Sequence, residues 1–245
     1  MFTGAGTAIN VGAVLAGGAV GLLLGGRFPE RTRELLTQAL GLFTVVLGAY
    51  SISEGLSPAL TSEVGPQAPL LIVLGGLLLG AIAGSLARLE DRLEAGAERL
   101  RRKVAGGAEP GRFVTGLVTA TLLFCVGPLS ILGSISDGLG RGAAQLLVKS
   151  VLDGFAAIAF ASALGVGVLF SVVPLALYQG SLTLVGLALG EFLSPGQIDA
   201  LGATGGLILL ALGLRLAGIM RIAVGDLLPG LVFAPALAWA VAALG

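Results

Sequence analysis

The stretch LLVKSVLDGFAAIAFASALG, residues 146–165, decides how the rest of the chain is read. It is long enough, and almost apolar enough, for a helix that crosses about 30 Å of hydrocarbon. Yet it holds Lys149 and Asp153 four residues apart, a spacing that puts both on one helical face. Each charge costs about 2.5–3.5 kcal/mol in the middle of a membrane helix. That face is therefore expected to point into a bundle and away from lipid, so the stretch implies a membrane and other helices around it.

The composition agrees. Of 245 residues, 56% are hydrophobic and 11% charged, and the mean hydropathy is +1.01. A soluble domain carries roughly 25% charge, so this chain has too few charges to coat a polar surface. Basic and acidic residues number 14 each, and nothing points to nucleic acid. With no His and a single cysteine, Cys125, a disulfide framework is excluded and zinc or haem ligation is disfavoured; no cofactor or metal is expected. The opening MFTGAGTAINVGAVLAGGAVGLLLGG has no basic leader before its apolar core and no small-residue cleavage site after it, and reads as a first span and not as a signal peptide.

Eight spans are predicted, at about 7–26, 35–53, 68–87, 113–133, 143–167, 170–190, 199–218 and 225–244, from apolar runs of the length that a bilayer core demands. The fold class is all-α, a polytopic transmembrane helical bundle forming one domain over 1–245. Between 143 and 190 a second reading stands, seven spans plus a re-entrant piece, because the connection near Gly167–Ser171 is almost entirely apolar. Twelve of the fourteen lysines and arginines fall between spans one and two, three and four, or seven and eight; Arg141 and Lys149 are the exceptions. The positive-inside rule makes that face cytoplasmic and puts both termini outside, with Glu54, Glu63, Asp137, Glu191 and Asp199 on the outer loops. Residues 88–112 form the cytoplasmic loop. Within SLARLEDRLEAGAERLRRKV (85–104), Leu86, Leu89, Leu93 and Leu100 lie near one helical face; an interfacial helix and a solvated extension of span three fit equally.

Gly17, Gly21 and Gly25, and again Gly76, Gly80 and Gly84, recur every four residues. That spacing lets helix backbones approach closely, and it would serve packing inside one bundle as readily as a homo-oligomer. Sliding the chain on itself by 165 residues sets GLLLGG (21–26) on GLALGE (186–191) and GLFTVVLG (41–48) on GLILLALG (206–213), with nine identities over positions 21–48. An offset of five spans reverses orientation, so the match reads as an inverted repeat of spans 1–3 and 6–8, an architecture that places sites near the bilayer midplane.

Spans four to six carry the unusual chemistry. In FCVGPLSILGSISDG (124–138), Pro128 has no N–H for the carbonyl of Phe124 and Gly127 weakens the helix beside it. A kink or unwound stretch is expected, followed by Ser130, Ser134 and Asp137. Counting from Ala143 at the helical rise, Lys149 lies about 9 Å and Asp153 about 15 Å deep, with Pro128 at a comparable level about 8 Å below the outer edge. Lys149 before Asp153 is the poorer order for a helical ion pair, so the lysine can instead reach toward water or Asp137. Asp153 in low dielectric can carry a proton or help to coordinate a cation; a structural ion pair is the plainer alternative. In PLALYQG (174–180), Tyr178 and Gln179 bring polar groups to mid-depth, and Asn10 and Gln38 are weaker candidates.

At these residues the chain resembles the bacterial inner-membrane proteins catalogued as domain of unknown function 554, the YdfK/YqgA-like group. The resemblance covers nearly the whole chain, through GTAIN, LLTQALGL, FCVG and ILGSISDGL, LLVKSVLDGFAAIAFASALGVGVLFS, PLALYQG and VGDLLP. Pro128 departs from the small residue associated with that place. The resemblance implies a multi-span bacterial inner-membrane protein and supplies no substrate. On the residues, the expected function is a secondary transporter or permease for a small polar solute or ion, with Asp153, Lys149, Gly127, Pro128, Ser130, Ser134, Tyr178, Gln179, Asn10 and Asp137 along the path. The alternative is a non-transporting structural or regulatory membrane protein, in which the buried charges fix helix register and the basic loop binds a cytoplasmic partner; the lipid bilayer is an expected partner in either case. Without His, HExxH or GxSxG, an enzyme is not expected.

Overall fold

The computed structural model describes residues 2–26, 28–126, 128–189 and 193–244. In chain order the helices are α1 (Ala5–Gly25), α2 (Glu30–Gly55), α3 (Pro58–Val64), α4 (Pro69–Ala87), α5 (Leu89–Val104), α6 (Pro110–Cys125), α7 (Pro128–Gly138), α8 (Ala144–Leu164), α9 (Gly167–Phe170), α10 (Val172–Leu189), α11 (Pro195–Leu216) and α12 (Gly230–Leu244), with a short 3-10 turn at Val224–Leu227 before the last. No strand occurs among the described residues. Seven segments are long and apolar enough to cross a membrane, and the bent pair α6–α7 makes an eighth when counted as one. Leu23, Leu70, Phe155 and Leu187 are among many large apolar side chains left exposed, as lipid contact requires and water would not tolerate on this scale. The protein is a membrane protein.

Two compact units make up the chain. The first holds residues 1–40, 94–125 and 129–192, and its centre is the contact of α1 with α8. A Cβ added at Gly17, Gly21 or Gly25 would clash with the carbonyl oxygens of Gly154, Ile158 and Ser162 respectively. The three contacts share one offset, so the two helices run parallel with backbone against backbone. This is the packing that small residues every four positions permit.

That parallel arrangement decides what the bent pair is. At one end, Asp137 near the close of α7 accepts hydrogen bonds from Gly4 and Gly6 at the start of α1. At the other, Arg112 in the first turn of α6 donates to the carbonyl of Ala163 at the end of α8. The pair thus runs the full height of α1 in the opposite direction, bent by 62° on the way. It is a broken span and not a re-entrant loop. The break falls here, while 143–190 forms two continuous spans, Ala144–Leu164 and Gly167–Ala188. Gly165, at φ +82°, makes the turn between them, a conformation that glycine adopts without strain.

The second unit comprises residues 41–93, 126–128 and 193–245. Here α2 packs antiparallel on α11 through glycines seven residues apart. A Cβ on Gly48 would lie 2.6 Å from the carbonyl oxygen of Gly206, and one on Gly206 equally close to that of Gly48; Gly41 and Gly213 make the same reciprocal contact at 2.8 and 2.6 Å. These are the octapeptides GLFTVVLG and GLILLALG, so their likeness is also a packing match. Gly76 and Gly80 of α4 abut Ala234 and Gly230 of α12 in the same antiparallel sense.

Two features lay beyond the sequence reading. Helix α2 begins at Glu30, about a turn before the expected start, and α3 occupies a stretch expected as loop. Its start is a regular one: Ser57 accepts from the amides of Ala59 and Leu60, and Pro58 takes the first helical position. The amphipathic α5 turns Ala97, with Leu100, onto Phe113 and Leu117. Its Glu98 carboxylate is held down at about 2 by hydrogen bonds from Arg101 and Arg102. Because the folded value is depressed, the bridge persists above the ordinary carboxylate range and is lost only as pH falls toward 2.

Adding one methyl group to the α1–α8 contact overpacks backbone against backbone, which costs about 1–3 kcal/mol. Gly21→Ala is therefore expected to lower the melting temperature in detergent. Gly12→Ala, on the exposed side of the same helix with nothing within 4 Å, is expected to leave it unchanged or raise it slightly. Tryptophan fluorescence or a thiol-reactive dye melt reads both.

Candidate functional site

The close approach of α1 to α8 puts polar side chains of four helices of the first unit at one level. Lys149 and Asp153, 7% and 6% exposed, form an ion pair in which the ammonium donates to both carboxylate oxygens at 2.8 and 2.7 Å. Asn10 of α1 donates through Nδ2 to Asp153 at 3.0 Å and to Oε1 of Gln179 on α10 at 3.3 Å. Gln179 in turn donates to the Ser130 hydroxyl on α7 at 3.0 Å. Ser130 reaches the carbonyl of Phe124 at 3.4 Å, the group that a proline at 128 cannot serve. A single chain of polar contacts thus runs from the charged pair to the broken span.

The direction of each bond follows from the chemistry of its ends. A carboxylate only accepts, and an amide offers both a carbonyl and an NH2. Two acceptors facing Asn10 fix its NH2 toward them and turn its carbonyl oxygen away. That oxygen, on a fully buried residue, has no partner among the described residues, and neither has the Thr7 hydroxyl one turn earlier on α1. An unsatisfied buried polar group costs about 1–3 kcal/mol, so this face of α1 is where a water or a ligand group gains most.

Of the residues singled out from the sequence, Lys149, Asp153, Asn10, Gln179 and Ser130 come together. Ser134 lies buried on the same helix as Ser130 and donates to the Ser130 carbonyl at 2.6 Å. Asp137 stands apart. Lys149 turns to Asp153 and not to Asp137, whose carboxylate instead caps the amides of Gly4 and Gly6 at 3.1 Å each. The cap is needed because Gly4 has no side chain with which to cap α1 itself. Tyr178 is half-buried and its hydroxyl takes no part in the chain of contacts; Gln38 is exposed and lies away from it. Pro128 is the first residue of α7, while Gly127 lies outside the described residues, as do Arg27 and Glu191 of the loops. Thr7 was missed by the sequence reading, although its place three residues before Asn10 was a usable signal. No group of three or more His, Cys, Asp or Glu side chains suited to a metal occurs among the described residues.

The family model described as protein of unknown function (DUF554) matches residues 5–239. The chain belongs to that family. Among its relatives, the "Uncharacterized membrane protein YdfK" of Bacillus subtilis (strain 168) is 29% identical over 240 residues, 98% of each chain. The "Uncharacterized protein YqgA" of Escherichia coli (strain K12) is 33% identical over 236 residues, 94% of this chain and 95% of that one. No solved structure matches. The DUF554 match takes in α1, α7, α8 and α10, and so all of the polar chain just described.

Removing one partner of a buried ion pair strands the other charge at a cost of about 3–5 kcal/mol, whereas replacing both is often neutral. Lys149→Met is expected to fold poorly, with a melting temperature well below the parent. Lys149→Met with Asp153→Asn, which keeps an acceptor for Asn10, is expected to recover most of that loss in the same melt.

Proposed function

We propose that this protein is a secondary transporter or permease of the bacterial inner membrane, carrying a small polar solute or ion coupled to protons or a cation. The observation that carries this reading is the convergence of a carboxylate, an ammonium and two amides with a broken span at one depth. Polar groups there are expensive and are characteristically kept for pathways, and discontinuous helices are the usual source of sites in transporters. Asp153 is the coupling residue in this reading. With Lys149 on both of its oxygens the carboxylate is closed, and loading a proton or cation requires the ammonium to swing away.

An inverted repeat fits the reading. Each predicted repeat partner packs on its counterpart, α1 on α10 in the first unit, α2 on α11 and α4 on α12 in the second, as helices near a two-fold axis in the membrane plane do. The same reading takes the face bearing most of the arginines as cytoplasmic, with both termini outside.

A second reading rests on one specific observation. A bidentate, buried lysine–aspartate pair is also what a non-transporting structural or regulatory membrane protein would use to fix helix register. The two readings part in proteoliposomes loaded with pyranine, under gradients of a panel of amino acids, organic acids and sodium. Transport predicts that some member drives a pH change in the parent. It also predicts that the folded Lys149→Met, Asp153→Asn variant abolishes that change. An unaltered response in the double variant, or no response to any member by the parent, favours the structural reading.

A further inference from the structure

A cleft of about 230 Å³ opens in the first unit where α1 and α8 end and α6 begins. Its floor is apolar, including Leu22, Phe113 and Leu164, and its mouth holds the guanidinium groups of Arg33 and Arg112 with the carboxylate of Glu109. Each arginine is anchored by a backbone carbonyl and, among the described residues, by no carboxylate. Arg33 donates through Nε and Nη2 to Gly25, at 3.2 and 2.8 Å, and Arg112 through Nε to Ala163 at 3.1 Å.

Capping a helix C-terminus accounts for those contacts but not for the rest of the fork. A guanidinium has five N–H donors in a planar array suited to phosphate. Among the described residues, Nη1 of Arg33 and both Nη groups of Arg112 have no hydrogen-bond acceptor. The two cations also lie near enough to repel one another. Glu109 relieves this only in part, because one carboxylate faces two guanidiniums; its oxygens are turned to the amides of Gly111 and Arg112, at 3.0 and 2.9 Å. A pair of under-neutralised guanidiniums above an apolar floor is complementary to an anionic head on an apolar tail. Basic pockets between membrane helices hold anionic headgroups in this manner.

We propose that the cleft formed by Arg33, Arg112 and Glu109 over Leu22, Phe113 and Leu164 binds the phosphate of an anionic phospholipid, with an acyl chain along its floor. The site is separate from the Asp153 network and does not depend on transport.

The test uses the full chain in a mild detergent, titrated with phosphatidylglycerol, phosphatidylcholine or soluble glycerol phosphate, and read by thermal shift and by native mass spectrometry. Phosphatidylglycerol is expected to raise the melting temperature and to remain bound, and phosphatidylcholine to do neither. Losing one charge-assisted arginine–phosphate contact should weaken phosphatidylglycerol binding about tenfold in Arg33→Gln and in Arg112→Gln. Glu109→Gln removes the opposing charge while keeping one acceptor for the backbone amides, and should bind the lipid more tightly than the parent. That gain does not depend on whether the arginine variants fold. Equal effects of the two lipids would overturn the proposal, as would unchanged or weaker binding in Glu109→Gln. So would full stabilisation by glycerol phosphate alone, which would make the cleft a site for a soluble anion.

Discussion

The first unit depends on backbone-to-backbone contact between α1 and α8. Lipid gives two apolar helices no reason to leave it for one another, so association must come from packing and polar contacts. The absence of side chains at Gly17, Gly21 and Gly25 is what lets the carbonyls of α8 come so near. Two turns before Gly17 on α1, the same closeness brings Asn10 within 3.0 Å of Asp153. Had the helices packed at an ordinary 8–10 Å through larger side chains, the amide would fall short and the carboxylate would lose the neutral donor that Asn10 supplies. Glycine spacing and buried charge are therefore one design and not two.

The charged pair illustrates how such a design is balanced. Two charges in hydrocarbon cost several kcal/mol together, and their mutual attraction alone does not reliably repay that. The surrounding amides make up part of the difference. Asn10 serves Asp153 and is held by Gln179, Gln179 is held by Ser130, and Ser130 meets the carbonyl released by the break. Satisfaction stops at the carbonyl oxygen of Asn10 and the hydroxyl of Thr7.

Much of this was legible beforehand, for identifiable reasons. Span positions follow from hydrocarbon thickness, a constraint so strong that length and hydropathy nearly suffice. The inward face of Lys149 and Asp153 follows from the cost of any other direction, and the freed carbonyl of Phe124 from the missing N–H of Pro128. Partner choice was less accessible. The order of lysine before aspartate argued against their pairing, yet burial leaves each with few alternatives and the pair forms. Asp137 looked like a path residue because it follows the break and Lys149 could have reached it; only the folded chain brings it to the amides of Gly4 and Gly6. Whether a break makes a loop or a span depends on where the two ends finish, and that is a tertiary fact. The cleft at Arg33 and Arg112 was hidden for a related reason, since in the sequence the two belong to different basic loops.

Helix α7 is short, eleven residues or about 16 Å, and it is fastened at both ends. Ser130 ties its beginning to Gln179 beside the break, and Asp137 ties its close to the first turn of α1. A helix fastened in this way joins two distant places in the first unit: the level of the polar chain at its beginning and the first turn of α1 at its close. Whatever alters the ties at one end is therefore felt along a single short element at the other.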